Sequence, residues 1–402
     1  MNKSIKRLYC RSFQGVLKIA NYFMGYRTPQ CIEGVGRVDR LPKHIKKRNI
    51  DNVLLVTDPG LVKLGLPDSL LEALKEQEIR CTVFSDLQAN PTDENVYAGY
   101  KMFRENECEA IIAFGGGSPM DCAKAIAALN ARPKKTVTQL QGLLKVRKKV
   151  VPFWAVPTTS GTGSETTVAA VITEASTHHK ASINDPSILP RYAVLDPQLT
   201  VGLPKFITAT TGMDALCHAV ESYTNRTYCT KLEKDLSKKA VRLIYDNLYK
   251  AYCDGTDIEA RQNMQLAAFH AGRSFTRGCV GYVHAIGHTL SGLYGVPHGL
   301  AMSVILPRVM RRFGPAVYES LADLADVCGM HGDTDREKAE AFISWIEEIN
   351  QKMEIPTGFD CIRDEDIPQI IKWADKEANP LYPVPVIWDE EDFKAAIASI
   401  RI

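Results

Sequence analysis

The stretch AIIAFGGGSPMDCAKAIAAL, residues 110–129, decides the fold of the N-terminal half of this chain. It begins with an apolar run of the kind found in buried strands of parallel sheets. Three glycines follow the run, and a helical pattern follows the glycines. Because this strand–turn–helix order recurs with other strands and helices up to residue 130, the sequence predicts an α/β domain with a parallel sheet.

The glycines of this turn are also candidates for cofactor binding. Gly115, Gly116 and Gly117 allow the backbone to approach a ligand closely, and the first amides of the following helix attract an anion. We therefore interpret the turn as a cradle for a diphosphate, although Met120 stands where the G-x-G-x-x-G fingerprint has its third glycine. A tight turn that only requires glycine is the alternative.

Two other predicted strands are followed by further polar candidates. Asp58 follows the apolar run VLLVT, where an acid can bind a ribose and repel a 2′-phosphate, or simply cap the next helix. The segment FWAVPTTSGTGSETTVAAVIT, residues 153–173, opens as a strand and becomes a loop rich in hydroxyl groups. Its Thr158, Thr159 and Thr162 are candidates for contacts to a nicotinamide, although such loops are commonly plain turns.

A second pattern appears in the C-terminal half, in TGMDALCHAVES (211–222) and GYVHAIGHTLSGLYGVPHG (281–299). Asp214 and His218 are four residues apart, as are His284 and His288, so each pair lies on one face of a predicted helix. His298 is predicted in a loop after the second helix. A carboxylate with two or three imidazoles suits iron, zinc, manganese or cobalt, so we predict a metal site rather than histidines packed in a core.

Composition limits the remaining possibilities. The 402 residues exceed one ordinary core, so two domains are expected, and the net charge of +2 gives no reason to invoke nucleic acid. Eleven scattered cysteines fit reduced thiols of a cytoplasmic protein. No apolar run approaches the roughly 18 residues that span a membrane.

Residues 1–27 contain six Lys and Arg and no acidic residue, with apolar residues at helical spacing. Such a basic amphipathic helix is typical of a transit peptide or a membrane-surface segment. We interpret it instead as a helix docked on the body of the protein or on a partner subunit.

Five motifs together resemble the iron-containing (group III) alcohol dehydrogenases, a family that includes lactaldehyde reductase and clostridial butanol dehydrogenases. They are VTDPG at 56–60, GGGSPMD at 115–121, PTTSGTGSE at 157–165, GMDALCHAVE at 212–221, and VHAIGH with PHG at 283–299. The resemblance implies a dehydroquinate synthase-like architecture. It divides the chain into a basic helical extension (1–30), a dinucleotide-binding α/β domain (31–204) and an all-α metal-binding domain (205–402).

The resemblance also assigns roles to residues. It implies that Fe²⁺, or Zn²⁺ or another divalent ion, is bound by Asp214, His218, His284 and His298. His288 corresponds to a histidine near the reacting carbon, where it would shuttle a proton. The contacts implied for NAD are Asp58, Asn90, Gly115, Gly116, Gly117, Ser118, Asp121, Thr158, Thr159, Thr162 and Lys180.

The expected function is oxidation of a small alcohol, or reduction of an aldehyde, by hydride transfer with NAD(H). Alternatives are a glycerol or other polyol dehydrogenase, a dehydroquinate-synthase-like lyase, and a non-enzymatic metal or nucleotide sensor. Apolar residues such as Phe275, Val280, Tyr282 and Leu293 are predicted around the substrate, whereas Arg277 either binds an anionic substrate tail or faces outward. A cytoplasmic homodimer is expected, with the N-terminal helix as one candidate for the contact.

Overall fold

The structure is a computed structural model that describes residues 3–176 and 180–402. The chain separates into two compact units. One unit is Tyr26–Gly202, and the other joins the N-terminal residues up to Gly25 with Leu203–Ile402. The N-terminal segment therefore belongs to the same compact unit as the C-terminal half of the chain.

The first unit, Tyr26–Gly202, alternates strands and helices. Its strands are β1 (Gln30–Glu33), β2 (Asn52–Val56), β3 (Arg80–Phe84), β4 (Ala110–Gly115), β5 (Gly142–Leu143), β6 (Phe153–Pro157), β7 (Ala169–Thr173), β8 (Lys180–Asn184) and β9 (Tyr192–Leu195). Its helices are α2 (Arg37–Lys46), α3 (Pro59–Lys63), α4 (Asp68–Glu76), α5 (Asp93–Glu105), α6 (Gly117–Ala131) and α7 (Val137–Leu140).

Six of these strands form one sheet in the order β1-β9-β6-β4-β2-β3, and all its neighbours are parallel. This confirms the predicted parallel sheet. Every residue of β2, β4 and β6 is buried, which explains why these strands read as continuous apolar runs rather than alternating ones. A smaller sheet, β5-β8-β7, contains an antiparallel β7–β8 pair that the sequence pattern did not predict.

The strand order places the glycine-rich turn at a position suited to a ligand. The chain runs from β2 outward to β3 and then returns to β4 on the other side of β2. In open parallel sheets such a reversal leaves a crevice at the carboxyl ends of the two central strands. Here those ends lead into Asp58 after β2 and into Gly115–Gly117 after β4.

The second unit is helical, as predicted for the C-terminal half. Its helices are α1 (Lys3–Phe23), α8 (Lys205–Thr224), α9 (Lys231–Cys253), α10 (Ile258–Gly278), α11 (Tyr282–Tyr294), α12 (His298–Phe313), α13 (Tyr318–Val327), α14 (Asp335–Lys352), α15 (Ile367–Ala378) and α16 (Glu390–Ala398). Helix α8 is buried along nearly its whole length from Thr208 and packs against α9, α10 and α12. A helix that is buried on all sides places any polar side chain it carries inside the protein.

Within residues 3–176 and 180–402, no helix combines the length and the apolar character needed to cross a membrane.

Candidate functional site

Three helices bring the predicted metal ligands together. Asp214 and His218 lie one turn apart on the buried helix α8. His284 lies in the first turn of α11, which packs against α12, and is buried as well. His298 is the first residue of α12, so the predicted loop position is wrong. Pro297 immediately precedes the helix, and its fixed φ is compatible with a helix start at this point.

The ligand atoms converge on the carboxylate. Asp214 Oδ1 lies 3.3 Å from His298 Nε2 and 3.8 Å from His284 Nε2, and one ligand atom from each of these residues falls within 4.8 Å of the others. His218 lies beside this group, with its Nδ1 3.8 Å from Asp214 Oδ1 and its ring 4.6 Å from the His284 ring. The structure thus places all four predicted ligands in one cluster.

Three buried atoms of this cluster, one of them Nδ1 of His218, lack the partners that buried polar atoms normally have. Asp214 Oδ1 and His284 Nε2 are buried, and neither has a hydrogen-bond partner among the described residues. Leaving such atoms unpaired away from water costs about 1–3 kcal/mol each. A divalent cation would satisfy both atoms, and oxygen with imidazole nitrogen suits iron or zinc. These residues therefore fit a metal ion.

Burial and mutual charge set the protonation states of the cluster. Burial lowers the pKa of His218 to about 3 and lowers the pKa of His284 well below its usual value, so both imidazoles are neutral. Burial alone would raise the pKa of Asp214, but the His218 and His298 imidazoles outweigh it and lower that pKa. A carboxylate beside neutral imidazoles is the state in which these side chains bind a metal.

Glu221, which was not predicted, supports His284 from behind. Its Oε2 lies 2.6 Å from His284 Nδ1, and its Oε1 accepts a hydrogen bond of 2.8 Å from the Val283 amide. This contact leaves Nε2 as the nitrogen that faces Asp214. Metal-binding histidines commonly have such a carboxylate behind them, and it fixes the tautomer of the ring. The sequence could have indicated this contact, because positions 214, 218 and 221 lie on one face of the same helix.

Cys217, Glu221 and His284 form a second group with metal-ligand spacing. The Glu221 hydrogen bond already occupies Nδ1 of His284. Burial raises the pKa of the Cys217 thiol well above its usual value, so the thiol stays protonated and is a poor ligand. This second group therefore does not compete with Asp214, His284 and His298 for a metal.

His288 lies next to the cluster with a different set of contacts. Its ring is 5.2 Å from the His298 ring, and its Nδ1 lies 2.8 Å from Glu377 Oε1. Tyr382 also donates a hydrogen bond of 3.0 Å to Glu377. The His288 side chain is 36% exposed, so the ring connects the buried cluster with solvent. Glu377 was not predicted, because 89 residues separate it from His288 and no local pattern links them.

In the α/β unit, the glycine-rich turn and the threonine loop lie side by side. Gly115 has a φ of +146°, which L side chains rarely adopt, and a Cβ there would lie 2.7 Å from Pro119. Its carbonyl accepts a hydrogen bond of 3.1 Å from the Thr158 amide. A Cβ on Gly117 would lie 3.1 Å from Thr162. The turn is therefore closely packed against the loop and requires glycine at its first position.

The other predicted cofactor residues border this turn. Ser118 Oγ accepts a hydrogen bond of 3.3 Å from the Asn90 amide, and Lys180 Nζ lies 2.9 Å from Asn90 Oδ1, so these three residues are linked. Asp58 caps helix α3 by accepting a hydrogen bond of 3.0 Å from the Leu61 amide. The capping role of Asp58 is thus realised, and the cofactor roles of these residues stay predictions.

A fully buried lysine connects helix α6 to the threonine loop. Lys124 Nζ donates hydrogen bonds of 2.8 Å to Ser164 Oγ, 2.7 Å to Thr167 Oγ1 and 2.8 Å to the Ala169 carbonyl. Ser164 Oγ in turn donates to Asp121 Oδ1 at 2.9 Å, and Asp121 Oδ2 accepts from the Val171 amide at 3.0 Å. Lys124 and Asp121 therefore join helix α6 to the loop, and this tie is a role for Asp121 that the sequence did not indicate.

The structure shows the contacts of Tyr282, predicted near the substrate, and of Arg277, for which two positions were open. Tyr282 is fully buried and packs between Trp388 and Phe393, with its hydroxyl accepting from the Trp388 amide. Its predicted place in the pocket wall is therefore wrong, because a buried aromatic cluster holds it. The Arg277 guanidinium lies 3.4 Å from the Asn21 carbonyl of α1. Phe275, in contrast, stacks on His218 at 4.1 Å between ring centres.

Comparison with known proteins identifies matching families on both units. Residues 28–197 match the family model described as iron-containing alcohol dehydrogenase. Residues 208–400 match the model of the C-terminal part of the Fe-containing alcohol dehydrogenase family. The two matches leave out the N-terminal helix.

Individual relatives align along most of their length. Alcohol dehydrogenase 4 of Schizosaccharomyces pombe is 37% identical over 87% of this chain and 83% of its own length. The NAD-dependent methanol dehydrogenase of Bacillus methanolicus is 35% identical over 89% of this chain and 93% of its own. A crystal structure of 1,3-propanediol oxidoreductase superposes with a TM-score of 0.89 at 34% identity, covering 93% of this chain and 98% of the other.

Proposed function

Because this chain belongs to the iron-containing alcohol dehydrogenase family, we propose that it is a metal-dependent, NAD(H)-linked enzyme that interconverts a small alcohol and its aldehyde. The observation that carries this proposal is the cluster of Asp214, His284 and His298, whose ligand atoms converge while the buried Asp214 Oδ1 and His284 Nε2 have no hydrogen-bond partner among the described residues. Relatives that act on methanol and 1,3-propanediol support a small substrate.

The metal is proposed to be Fe²⁺, with Zn²⁺ as the alternative, held by Asp214, His218, His284 and His298. Glu221 keeps the proton of His284 on Nδ1, so that Nε2 presents its lone pair to the metal. Phe275 stacks on His218 and limits the rotation of that ring. The neutral imidazoles of His218 and His284 and the ionised carboxylate of Asp214 need no proton rearrangement before they bind a cation.

A bound metal would supply Lewis acidity that lowers the pKa of the substrate hydroxyl, and bound NAD would supply a hydride acceptor. The chain itself must then move one proton between the substrate and solvent. His288 suits this role, because imidazole titrates near neutral pH and this ring is partly exposed. Glu377 holds Nδ1 of His288, which orients the ring and leaves Nε2 for proton exchange.

The proposed NAD site is the crevice between the ends of β2 and β4. The amides at the start of α6, which follow the glycine-rich turn, would attract an anion such as a diphosphate. Around it lie the proposed contacts of the glycine-rich turn, the threonine loop, Asn90 and Lys180. Asp58 at the end of β2 would favour NAD over NADP, because its carboxylate repels a 2′-phosphate.

For assembly and location we propose a cytoplasmic homodimer. Its support is the family membership together with eleven cysteines, none of which forms a disulfide among the described residues. A light-scattering mass that corresponds to one chain at micromolar concentration would contradict the dimer.

The test of the proposed function is metal content together with activity. Anaerobically purified native protein is expected to contain about one equivalent of divalent metal per chain and to reduce butanal with NADH. His218→Ala and His284→Ala are expected to lose both the metal and the activity. The matched control is His331→Ala, which removes an exposed histidine outside the cluster. Full metal content and activity in the first two variants would refute the assignment.

A further inference from the structure

Helix α1 turns an apolar face toward solvent. Seven of its large apolar side chains are 53–79% exposed: Ile5, Leu8, Tyr9, Val16, Ile19, Tyr22 and Phe23. Contiguous apolar surface of this kind marks an interaction site rather than ordinary surface. The helix also lies outside the region that matches the dehydrogenase family, which begins at residue 28. The proposed enzymatic function therefore gives no reason for this face.

The opposite, polar face of α1 is the one that docks on the helical unit. Lys6 Nζ lies 2.5 Å from Asp375 and donates to the Trp388 carbonyl at 2.9 Å. Arg11 donates to the Val384 carbonyl at 2.8 Å, and Gln14 donates to the Tyr382 carbonyl at 2.8 Å. Rotating the helix to bury its apolar face would break these bonds, so the docking itself fixes the outward orientation of the apolar residues.

The width of the apolar face indicates what covers it. At about 100° per residue, the exposed apolar residues extend from Tyr22 through Ile5 to Tyr9 and Phe13, or about half the circumference of the helix. A seam with one partner helix is narrower than this. A helix that lies in a bilayer interface immerses its whole apolar half, and aromatic side chains are favoured at that depth.

The charge of α1 points to the same partner. Helix α1 carries five basic residues and no acidic one. Lys3, Lys6 and Arg11 are bound to the body of the protein. The exposed positive charge is that of Arg7 and Lys18. The acidic residues of the body nearest to the helix are paired, Asp375 with Lys6, and Asp389 and Asp392 with Lys3. A second copy of α1 would bring the same positive charge, whereas an anionic lipid surface complements it.

We propose that the outward face of α1 lies in the interface of an anionic lipid bilayer and holds the enzyme at the membrane surface. The apolar side chains enter the region between headgroups and acyl chains, while the polar face remains bound to the body of the protein. The helix lies along the surface and does not span, since five basic residues interrupt its sequence and no helix of the described residues is long and apolar enough to cross a membrane. This inference does not depend on the proposed dehydrogenase activity.

The experiment is flotation of the full-length protein with lipid vesicles. Native protein is expected to float with vesicles of phosphatidylcholine and phosphatidylglycerol, but not with vesicles of phosphatidylcholine alone. Salt at about 0.5 M is expected to release it, because this concentration screens charges at the surface. The double variant Val16→Glu/Ile19→Glu is expected to bind at least about tenfold more weakly, because two apolar side chains leave the interface and two acidic groups replace them.

The matched control is Leu232→Glu/Ile402→Glu, which changes two exposed aliphatic residues of the same unit and is expected to bind like the native protein. Butanal reduction in solution should be unchanged in both variants. Absence of flotation by the native protein would overturn the proposal, as would equal binding to the two vesicle types. A native dimer that dissociates in the α1 variant would also overturn it, because a second copy of the chain would then cover this face.

Discussion

Replacing Glu221 with glutamine tests whether the carboxylate behind His284 determines the metal affinity. Glu221 accepts a hydrogen bond of 2.8 Å from the Val283 amide, and its Oε2 lies 2.6 Å from His284 Nδ1. Glutamine has the same shape but only one acceptor atom. If its oxygen faces Val283, its NH₂ group faces His284 and forces the ring proton onto Nε2, the atom needed for the metal.

If the amide turns the other way, the Val283 amide loses its acceptor at a buried position, which costs about 1–3 kcal/mol. In the first orientation the tautomer of His284 changes, and in the second the first turn of α11 loses a hydrogen bond. Loss of such a supporting carboxylate lowers metal affinity about 10–100-fold, equal to about 1.4–2.8 kcal/mol. We expect Glu221→Gln to fall within this range.

The assay is competition for Zn²⁺ between the metal-free protein and a chromogenic chelator, with thermal unfolding followed to show that the variant is folded. Glu377→Gln is the matched control, because it makes the same chemical change beside His288, which is not a proposed ligand. That control should keep its Zn²⁺ affinity within about twofold while losing activity. A folded Glu221→Gln variant with the affinity of the native protein would refute the reasoning.

Two further predictions concern single side chains outside the metal cluster. Asp58→Gly should raise the preference for NADP over NAD about tenfold, because it removes a charge of the same sign as the 2′-phosphate. Asp58→Asn should have the same effect and keep the helix cap. An unchanged cofactor preference in both variants would show that Asp58 is only a helix cap. Arg277→Ala should not change the ratio of rates with butanal and with an anionic short aldehyde, because the guanidinium lies against the Asn21 carbonyl. A selective loss of the anionic substrate would place Arg277 in the substrate pocket.

The parts of the fold that were predictable from sequence depend on residues close together in the chain. The strand, glycine turn and helix of residues 110–129 follow one another directly, so their order alone indicated the parallel sheet. Asp214 and His218 share a helix face at a spacing of four, and so do His284 and His288. These two pairs together with His298 suggested a metal site, which one pair alone would not have done.

Contacts between distant residues were not predictable in this way. Glu377 reaches His288 across 89 residues, and Lys124 reaches Ser164 across 40, with no periodic pattern to relate them. The orientation of α1 was also missed, because amphipathic helices ordinarily bury the apolar face. Here, hydrogen bonds from Lys6, Arg11 and Gln14 to the body determine the orientation instead.

The bond network of Lys124 has a consequence for redesign of the enzyme. Hydrogen bonds join four residues into one network: Lys124, Asp121, Ser164 and Thr167. Because each residue shares a bond with the next, the effects of single substitutions on the free energy of unfolding will not be additive. Asp58 follows strand β2, and its side chain accepts the hydrogen bond from Leu61 that caps helix α3. The preference for NAD over NADP can therefore be changed at Asp58 without altering the hydrogen bonds that hold the glycine-rich turn and helix α6 to the threonine loop.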